Sequence, residues 1–554
     1  METNKETNLD DKTDFRESAS DSDIQVRDAH TPQLKRSLDN RQIQLIAIGG
    51  SIGTALFVSI GSGLARAGPL NLLIAYTAYS CLLGLINNCI AEMAILHPVE
   101  GSFIRMASHW VDDAFGFMAG WNFFLYEALL IPFEITALTL VLSYWRDDIP
   151  AAAVCAICIA LYGILNILAV RAYGETEFWL SGGKVILIFM LFGFTFVTMV
   201  GGNPQRDAYG FRNWRTPVAE YRSTGDLGRF EAFCAGLWSA AFTIVGPEYV
   251  AMISAEARYP RVYINNAFKT IYWRFGIFFI MGAFCVGTVV PYWDTTLQAI
   301  ANGTGEGSGT AAASPYVIAM RNLQIEGLPH VVNALLLTSI FSAGNTYTYC
   351  ATRSLYSLVI EGKGPKFLNK VTKSGVPIYC FGVTMLFPLL SFLQVSNNTS
   401  QVLTWLTNLI TAGALINFIA ISTTYIFFYR ACMAQGVDRS TFPYTGWFQP
   451  YCAYIGLAGE CLIVLLYGYS TVEPFSPSGF FTHYAMLIVA PFTYCGWKLI
   501  KKTKFVKPLE ADLVWDRPIT DAYEASETAP INTFWREMAG MVGFRFKKKG
   551  DVEK

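Results

Sequence analysis

The chain has 554 residues, of which 53% are hydrophobic and 15% charged, with a mean hydropathy of +0.35. An ordinary soluble protein carries about 25% charged residues, so these figures exclude a soluble globular domain and describe a polytopic membrane protein. The formal net charge of −1 supplies no basic field for nucleic acid, and the placement of charges matters more than their sum.

Residues 1–40 open on the polar stretch "METNKETNLDDKTDFRESASDSD", which predicts a disordered cytoplasmic tail with no cleavable signal peptide. Apolar runs that reach the twenty or so residues needed to cross a bilayer then lie near 42–66, 70–96, 117–145, 151–170, 178–201 and 232–255. A second set lies near 270–291, 331–358, 376–395, 402–429, 450–470 and 483–500. The expectation is an all-α polytopic membrane protein of about twelve helices within residues 41–502, followed by a cytoplasmic tail, 503–554. Lys35, Arg36, Arg41, Arg258, Arg261, Lys269, Lys363, Lys366, Lys370, Lys373, Lys501, Lys502 and Lys504 all fall in segments that are cytoplasmic if the N-terminus is inside, as cation bias requires. Residues 201–231 depart from it, being outside yet holding five arginines with acids interspersed. The sequons at Asn302 and around Asn397 fall outside as well. The twelve cysteines are scattered among apolar runs, and Cys155 and Cys158 read as buried thiols rather than a metal or redox pair.

Glycines interrupt the first apolar run in "IGGSIGTALFVSIGSGL", residues 48–64. Each interior glycine costs a helix about 0.8–1 kcal/mol relative to alanine, so the run either packs closely against a neighbour or breaks. Five spans later, Gly246-Pro247-Glu248 interrupts "WSAAFTIVGPEYVAMISAEARYPR", where proline removes a backbone donor and clashes with the preceding turn. Two interrupted helices in corresponding positions are the pattern of carriers that bind substrate at unwound backbone in mid-membrane.

A resemblance rests on seven stretches in order along residues 34–515: "LKRSLDNRQIQLIAIGGSIGTALFV", "EMAILHPVEGSF", "GWNFFLYEALLIPFEITAL", "EFWLSGGKVI", "VGPEYVAMISAEARYPR", "GNTYTYCATRSLYSLVIEGKGPKF" and "WFQPYCAYIG". They are similar to the fungal amino acid permeases, the yeast amino acid transporter family of the amino acid/polyamine/organocation superfamily. The resemblance implies two inverted five-helix repeats plus two helices, with helices 1 and 6 discontinuous. It also implies proton-driven amino acid uptake across the plasma membrane. The implied partners are a small-molecule substrate, the proton and the lipid bilayer, with no cofactor, no nucleic acid and no oligomeric state specified.

The resemblance places the substrate site at Ser51, Ile52, Gly53, Thr54 and Ala55 on the first break and at Thr243, Ile244, Val245 and Glu248 on the second, with Glu127, Glu134 and Asn345 nearby. Lys184 matches the family lysine thought to replace the sodium ion of related carriers. An isolated ammonium is expensive in a membrane and should face the bundle interior, although a lysine this near a helix end can also snorkel. Glu248 either holds unwound backbone or meets a substrate ammonium. Two departures stand out: Glu127 takes a place where the family has a bulky aromatic residue, and Ala55 follows Gly53-Thr54 where the family has glycine. A methyl there crowds a substrate carboxylate approaching the helix amides, and an added carboxylate suits extra positive charge, as in a basic amino acid, a carnitine-like betaine or a polyamine.

Other polar residues read as structural. Asn345 lines the site or bonds a neighbouring helix, and Arg353 anchors the inner end of its helix. His97 and His109 are expected in solvent at an inner loop, and the five histidines lack metal-ligand spacing. No nucleophile elbow or phosphate-binding loop appears, which sets an enzyme behind a carrier. A nutrient-sensing transceptor of the same fold would carry a longer cytoplasmic extension. The C-terminal "NTFWREMAGMVGFRFKKKG" reads either as an amphipathic segment on the inner leaflet or as a mobile basic tail.

Overall fold

A computed structural model describes residues 36, 38–146, 148–168, 170–302, 314–372, 375–472 and 475–526, with the side chains of Arg41 and of residues 168–179 left undescribed. Most of the N-terminal tail, residues 527–554 with the proposed amphipathic segment, and Lys373 lie outside the described residues. Among the described residues there is no strand, only two isolated bridges, Leu38 with Ala257 and Val371 with Pro377.

The first helix, α1 (Asn40–Ser51), starts where the Asp39 amide donates to Gln42 Oε1 at 3.1 Å, which closes one end of a capping box. It stops at Ile52, whose backbone is extended (φ −109°, ψ 94°). The chain re-enters a helix at once as α2 (Ala55–Leu96), beginning with a π-helical turn over Ala55–Ser59. At about 1.5 Å per residue, these 42 residues run to twice the roughly 30 Å of a hydrocarbon core. Gly68 divides them with φ 75° and ψ 166°, and Pro69 follows. Residues 217–219 fasten the bend: Leu70 donates to the Pro217 carbonyl at 2.9 Å and Ala219 to the Ala67 carbonyl at 3.2 Å. The separate spans expected at 42–66 and 70–96 are therefore divided at Gly68.

A short amphipathic α3 (Ser102–Trp110) leads to α4 (Asp113–Leu142), capped by Asp112 accepting from the Ala114 amide at 3.1 Å. α4 is apolar on all sides, as a central helix should be, and 83% of its most apolar window is buried. Next come α5 (Ala151–Leu168), α6 (Val170–Met199) and α7 (Gly225–Thr243). α7 ends at Ile244 (φ −93°, ψ 107°), and Gly246 at φ 149° turns the chain into α8 (Pro247–Met252). Only glycine adopts such a φ at little cost, and proline fits the first helical turn, where its missing N–H leaves no bond unmade.

The remainder is α9 (Pro260–Val289), α10 (Thr295–Asn302), α11 (Pro315–Asn322), α12 (Leu328–Ile360), α13 (Ile378–Val395), α14 (Thr399–Ala434), α15 (Tyr451–Leu466), α16 (Pro477–Lys501) and α17 (Arg517–Ser526). α12 and α14 pack along α4, and α7 packs along α2. Asn122 of α4 donates to Asn417 Oδ1 at 2.8 Å and to the Gly413 carbonyl at 2.9 Å on α14, joining the two most enclosed helices. Eight helical segments among the described residues are long and apolar enough to cross a membrane.

One expectation is overturned at the loop after α2: His97 is 1% exposed. The chain folds back through α3, and its ring lies between Trp110 (centroids 5.4 Å apart) and Trp515 (5.8 Å). Burial pushes its pKa down to about 3. His109 packs at 4.1 Å on the same Trp515, and burial lowers its pKa too.

Candidate functional site

The two breaks meet. A Cβ on Gly246 would lie 3.7 Å from the Ser51 Cβ, and one on Gly50 would lie 3.0 Å from the Tyr249 ring, so the half-helices α1 and α8 cross where glycine allows it. Tyr347 of α12 donates to the Gly50 carbonyl at 3.2 Å. Lys184 of α6, fully buried, donates to the Gly49 carbonyl at 2.9 Å. The carbonyls left free by the unwinding of α1 thus receive donors from two other helices, and Lys184 does not snorkel.

α4 presents carboxyls seven residues apart, two turns on one face, and each addresses a different break. Glu134 accepts from the Thr54 hydroxyl, with the Thr54 amide also directed to it and the Lys184 charge within electrostatic reach. Its Oε1 lies 3.0 Å from the place of a Cβ on Gly53. The start of α2, where the sequence reading has a substrate carboxylate approach the helix amides past Ala55, is therefore partly occupied by the protein's own carboxyl. Glu127 faces Tyr249 and feels the charge of Glu248 on α8. It is completely buried, and neither of its oxygens has a hydrogen-bond partner among the described residues.

Other expected residues hold the backbone. Glu248 accepts from the Gly246 amide at 3.1 Å, the structural one of its two readings. Ser51 returns its hydroxyl to the Ala47 carbonyl. Thr243 accepts from Tyr76 at 3.0 Å, while Ile52, Ile244 and Val245 are buried beside the breaks and Ala55 is half-buried. Asn345 accepts from Asn166 at 2.9 Å, a bond between α12 and α5. Arg353 pairs with Glu256 at 2.6 Å and lies 4.1 Å from the Tyr349 ring centroid, which ties α12 to the segment after α8.

A cavity of about 240 Å³ opens on the side of the breaks away from α1 and α8. Ser59 and Arg66 of α2, Ser239 and Phe242 of α7, and Thr411 of α14 are in its wall. Phe242 directly precedes Thr243 and meets Phe133 edge-to-face with centroids 5.2 Å apart, so an aromatic pair stands between the cavity and the two breaks.

Tyr76, Tyr249 and Tyr347 carry no signal in the sequence, because a tyrosine in an apolar run does not announce its partner. Glu92 and Glu460 do carry one: each is a lone acid in an apolar run, the signal that marked Lys184 and Glu127.

A family model for amino acid permeases matches residues 42–510. The chain is 41% identical over 513 residues to General amino acid permease AGP2 of Saccharomyces cerevisiae, covering 91% of this chain and 86% of that protein. It is 36% identical to the dicarboxylic amino acid permease of the same yeast (92% and 84% covered) and 34% identical to its lysine-specific permease (91% and 83%). These matches, together with the apolar helices, make the chain an integral membrane protein that belongs to the amino acid permease family.

Proposed function

We propose that this protein is a secondary active transporter that takes up amino acids or related cationic or zwitterionic amines across the plasma membrane, coupled to protons. In this reading about twelve spans form two inverted five-helix repeats plus two helices. α1 with the first part of α2 is helix 1, α7 with α8 is helix 6, and both termini are cytoplasmic. Arg36, Arg261, Lys363 and Lys498 bond residues at one end of the bundle, which supports that orientation. The observation that carries the reading is the juxtaposition of two broken half-helices with Lys184 joined to one of them. Protonated Lys184 holds the Gly49 carbonyl, and loss of its proton weakens that bond and frees α1 to move.

A cationic substrate group is the favoured one within this class, because Glu127 is enclosed and without a hydrogen-bond partner among the described residues while the Thr54 donors already serve Glu134. The names of the relatives include dicarboxylic, proline and lysine permeases. Carnitine or a polyamine fits the same carboxylate, and a transceptor that senses such amines is the alternative role. Radiolabel uptake into cells lacking their own permeases, competed by neutral, acidic and basic amino acids, carnitine and spermidine, tests the proposal. Competition confined to basic amino acids or amines is expected; uptake abolished only by acidic amino acids would refute the cationic assignment.

A further inference from the structure

Buried acids in this protein fall into two kinds. Glu92 of α2 is fully enclosed and fully served: Arg439 donates to both its oxygens at 2.8 and 2.7 Å, Tyr425 at 2.8 Å and the Gly446 amide at 2.8 Å. Glu460, midway along α15, is equally enclosed, yet neither of its oxygens has a hydrogen-bond partner among the described residues. The group that faces it is Tyr79 of α2, also fully buried, whose hydroxyl is directed at Glu460 but completes no hydrogen bond of ordinary geometry among the described residues.

Among the described residues, the surroundings of Glu460 supply no cation. Cys461 adjoins it on α15. On α14, Tyr425 and Cys432 turn to Glu92 and Arg439, and on α7, Glu231 turns to Ser223 and Tyr469. Beyond Tyr79 lie Glu248, at the second break, and Tyr126, which in turn neighbours Glu127. An ionised carboxylate placed so is costly, whereas the neutral acid needs only a tyrosine hydroxyl. Carboxyls and phenols therefore run in sequence from α15 through α2 to the break between α7 and α8.

We propose that Glu460 is a second proton-carrying site of this transporter, separate from Lys184, and that Tyr79 couples its charge to Glu248. The inference rests on the carrier reading above. The carboxyl takes its proton from water on one side of the membrane and returns it to water on the other. When it is ionised, its charge reaches Glu248 through Tyr79 and biases the backbone that Glu248 holds at Gly246. A group that biases one conformation is in turn biased by it, so its proton affinity differs between the two faces of the cycle.

Infrared difference spectra of the purified full-length protein in nanodiscs, recorded across pH, read the carboxyl directly. A protonated-carboxyl band that disappears as pH rises is expected in the wild type, absent in Glu460→Gln and displaced in Tyr79→Phe. For uptake of an amino acid that the wild type accumulates, Glu460→Gln should keep exchange at equal pH on both sides. Its limiting accumulation should fall about tenfold for each unit of pH gradient, the contribution of one proton. If Glu460→Gln does not elute as a monodisperse protein, Glu460→Asp and Tyr79→Phe carry the same spectral test. A titrating band in a wild type that moves no substrate would remove the carrier reading and leave the proton site. A carboxyl that stays protonated at alkaline pH, or accumulation by Glu460→Gln equal to wild type, overturns the inference.

Discussion

Glu92 and Glu127 are both fully buried, but removing them should have opposite consequences. Glu92 neutralises Arg439 and fastens residues 439–446 to α2, so Glu92→Gln leaves a half-buried guanidinium without its anion. A lost charge-assisted hydrogen bond is worth about 1.5–3 kcal/mol, and loss of expression or of thermal stability is the expected result. Glu127→Gln removes no hydrogen bond seen among the described residues, so the fold should tolerate it. A lost charge-assisted contact is worth about 1.5–3 kcal/mol; competition assays should therefore show affinity for a cationic substrate at least about tenfold lower, with neutral substrates little changed. Equal loss for every substrate would mean that Glu127 only positions α4. Lys184→Met should express normally yet accumulate nothing under a pH gradient, and undiminished accumulation would end its proposed role. The lone charges at 127 and 184 were legible in the sequence because charge inside an apolar run is costly wherever the chain folds. What each one faces was not: the occupation of the Thr54 donors by Glu134 depends on how α4 is rotated against the first break.

At the scale of elements, the helix breaks were readable because their cause is local. Gly246 with its positive φ and Pro247 at the start of α8 are backbone chemistry written in two adjacent letters. The bend at Gly68 is of the same kind, and its substitution is a direct check. A Cβ there would lie 2.7 Å from the Ala219 amide nitrogen at a φ of 75°, so Gly68→Ala meets both strain and backbone collision. We expect it to cost at least about 1–3 kcal/mol, seen as a lowered melting temperature, while Gly182→Ala, in open space, should be close to neutral. Burial of His97 was not readable, because Trp515, which covers it, comes from more than four hundred residues away and from a segment that looks like a polar tail.

Across the whole molecule, that segment is a strap. Trp110 donates to the Asp512 carbonyl at 2.9 Å, Gln435 to the Ala511 carbonyl at 2.7 Å, Val506 to the Val111 carbonyl at 2.9 Å, and the Arg261 amide to Glu524 at 3.1 Å. Residues 506–524 thus join α3, α9 and the end of α14. Its hold should depend on pH through His97. The folded pKa of about 3 lies below the usual 6.5, so the released state binds the extra proton. Stability is complete above about 6.5 and falls as pH drops toward 3. At pH 5 the loss is about 2 kcal/mol. The hydrogen-exchange protection factors of residues 506–524, corrected for the intrinsic slowing of exchange in acid, should fall by about an order of magnitude between pH 7 and 5 in the wild type and much less in His97→Phe; an identical fall in both would show that another group controls the strap.

The buttoned bend of α2 carries a consequence for anyone who wishes to stop this molecule in one state. The first break lies at one end of α2 and the Pro217–Ala219 stitch lies about a third of the way along it, at the bend, so whatever grips residues 205–223 grips the part of α2 next to the break as well. In the proposed orientation that stretch is reachable from outside the cell. A nanobody raised against it is therefore a brake that never enters the substrate path: it should lower the maximal uptake rate, leave the substrate concentration at half-maximal uptake unchanged, and hold a single conformation for imaging.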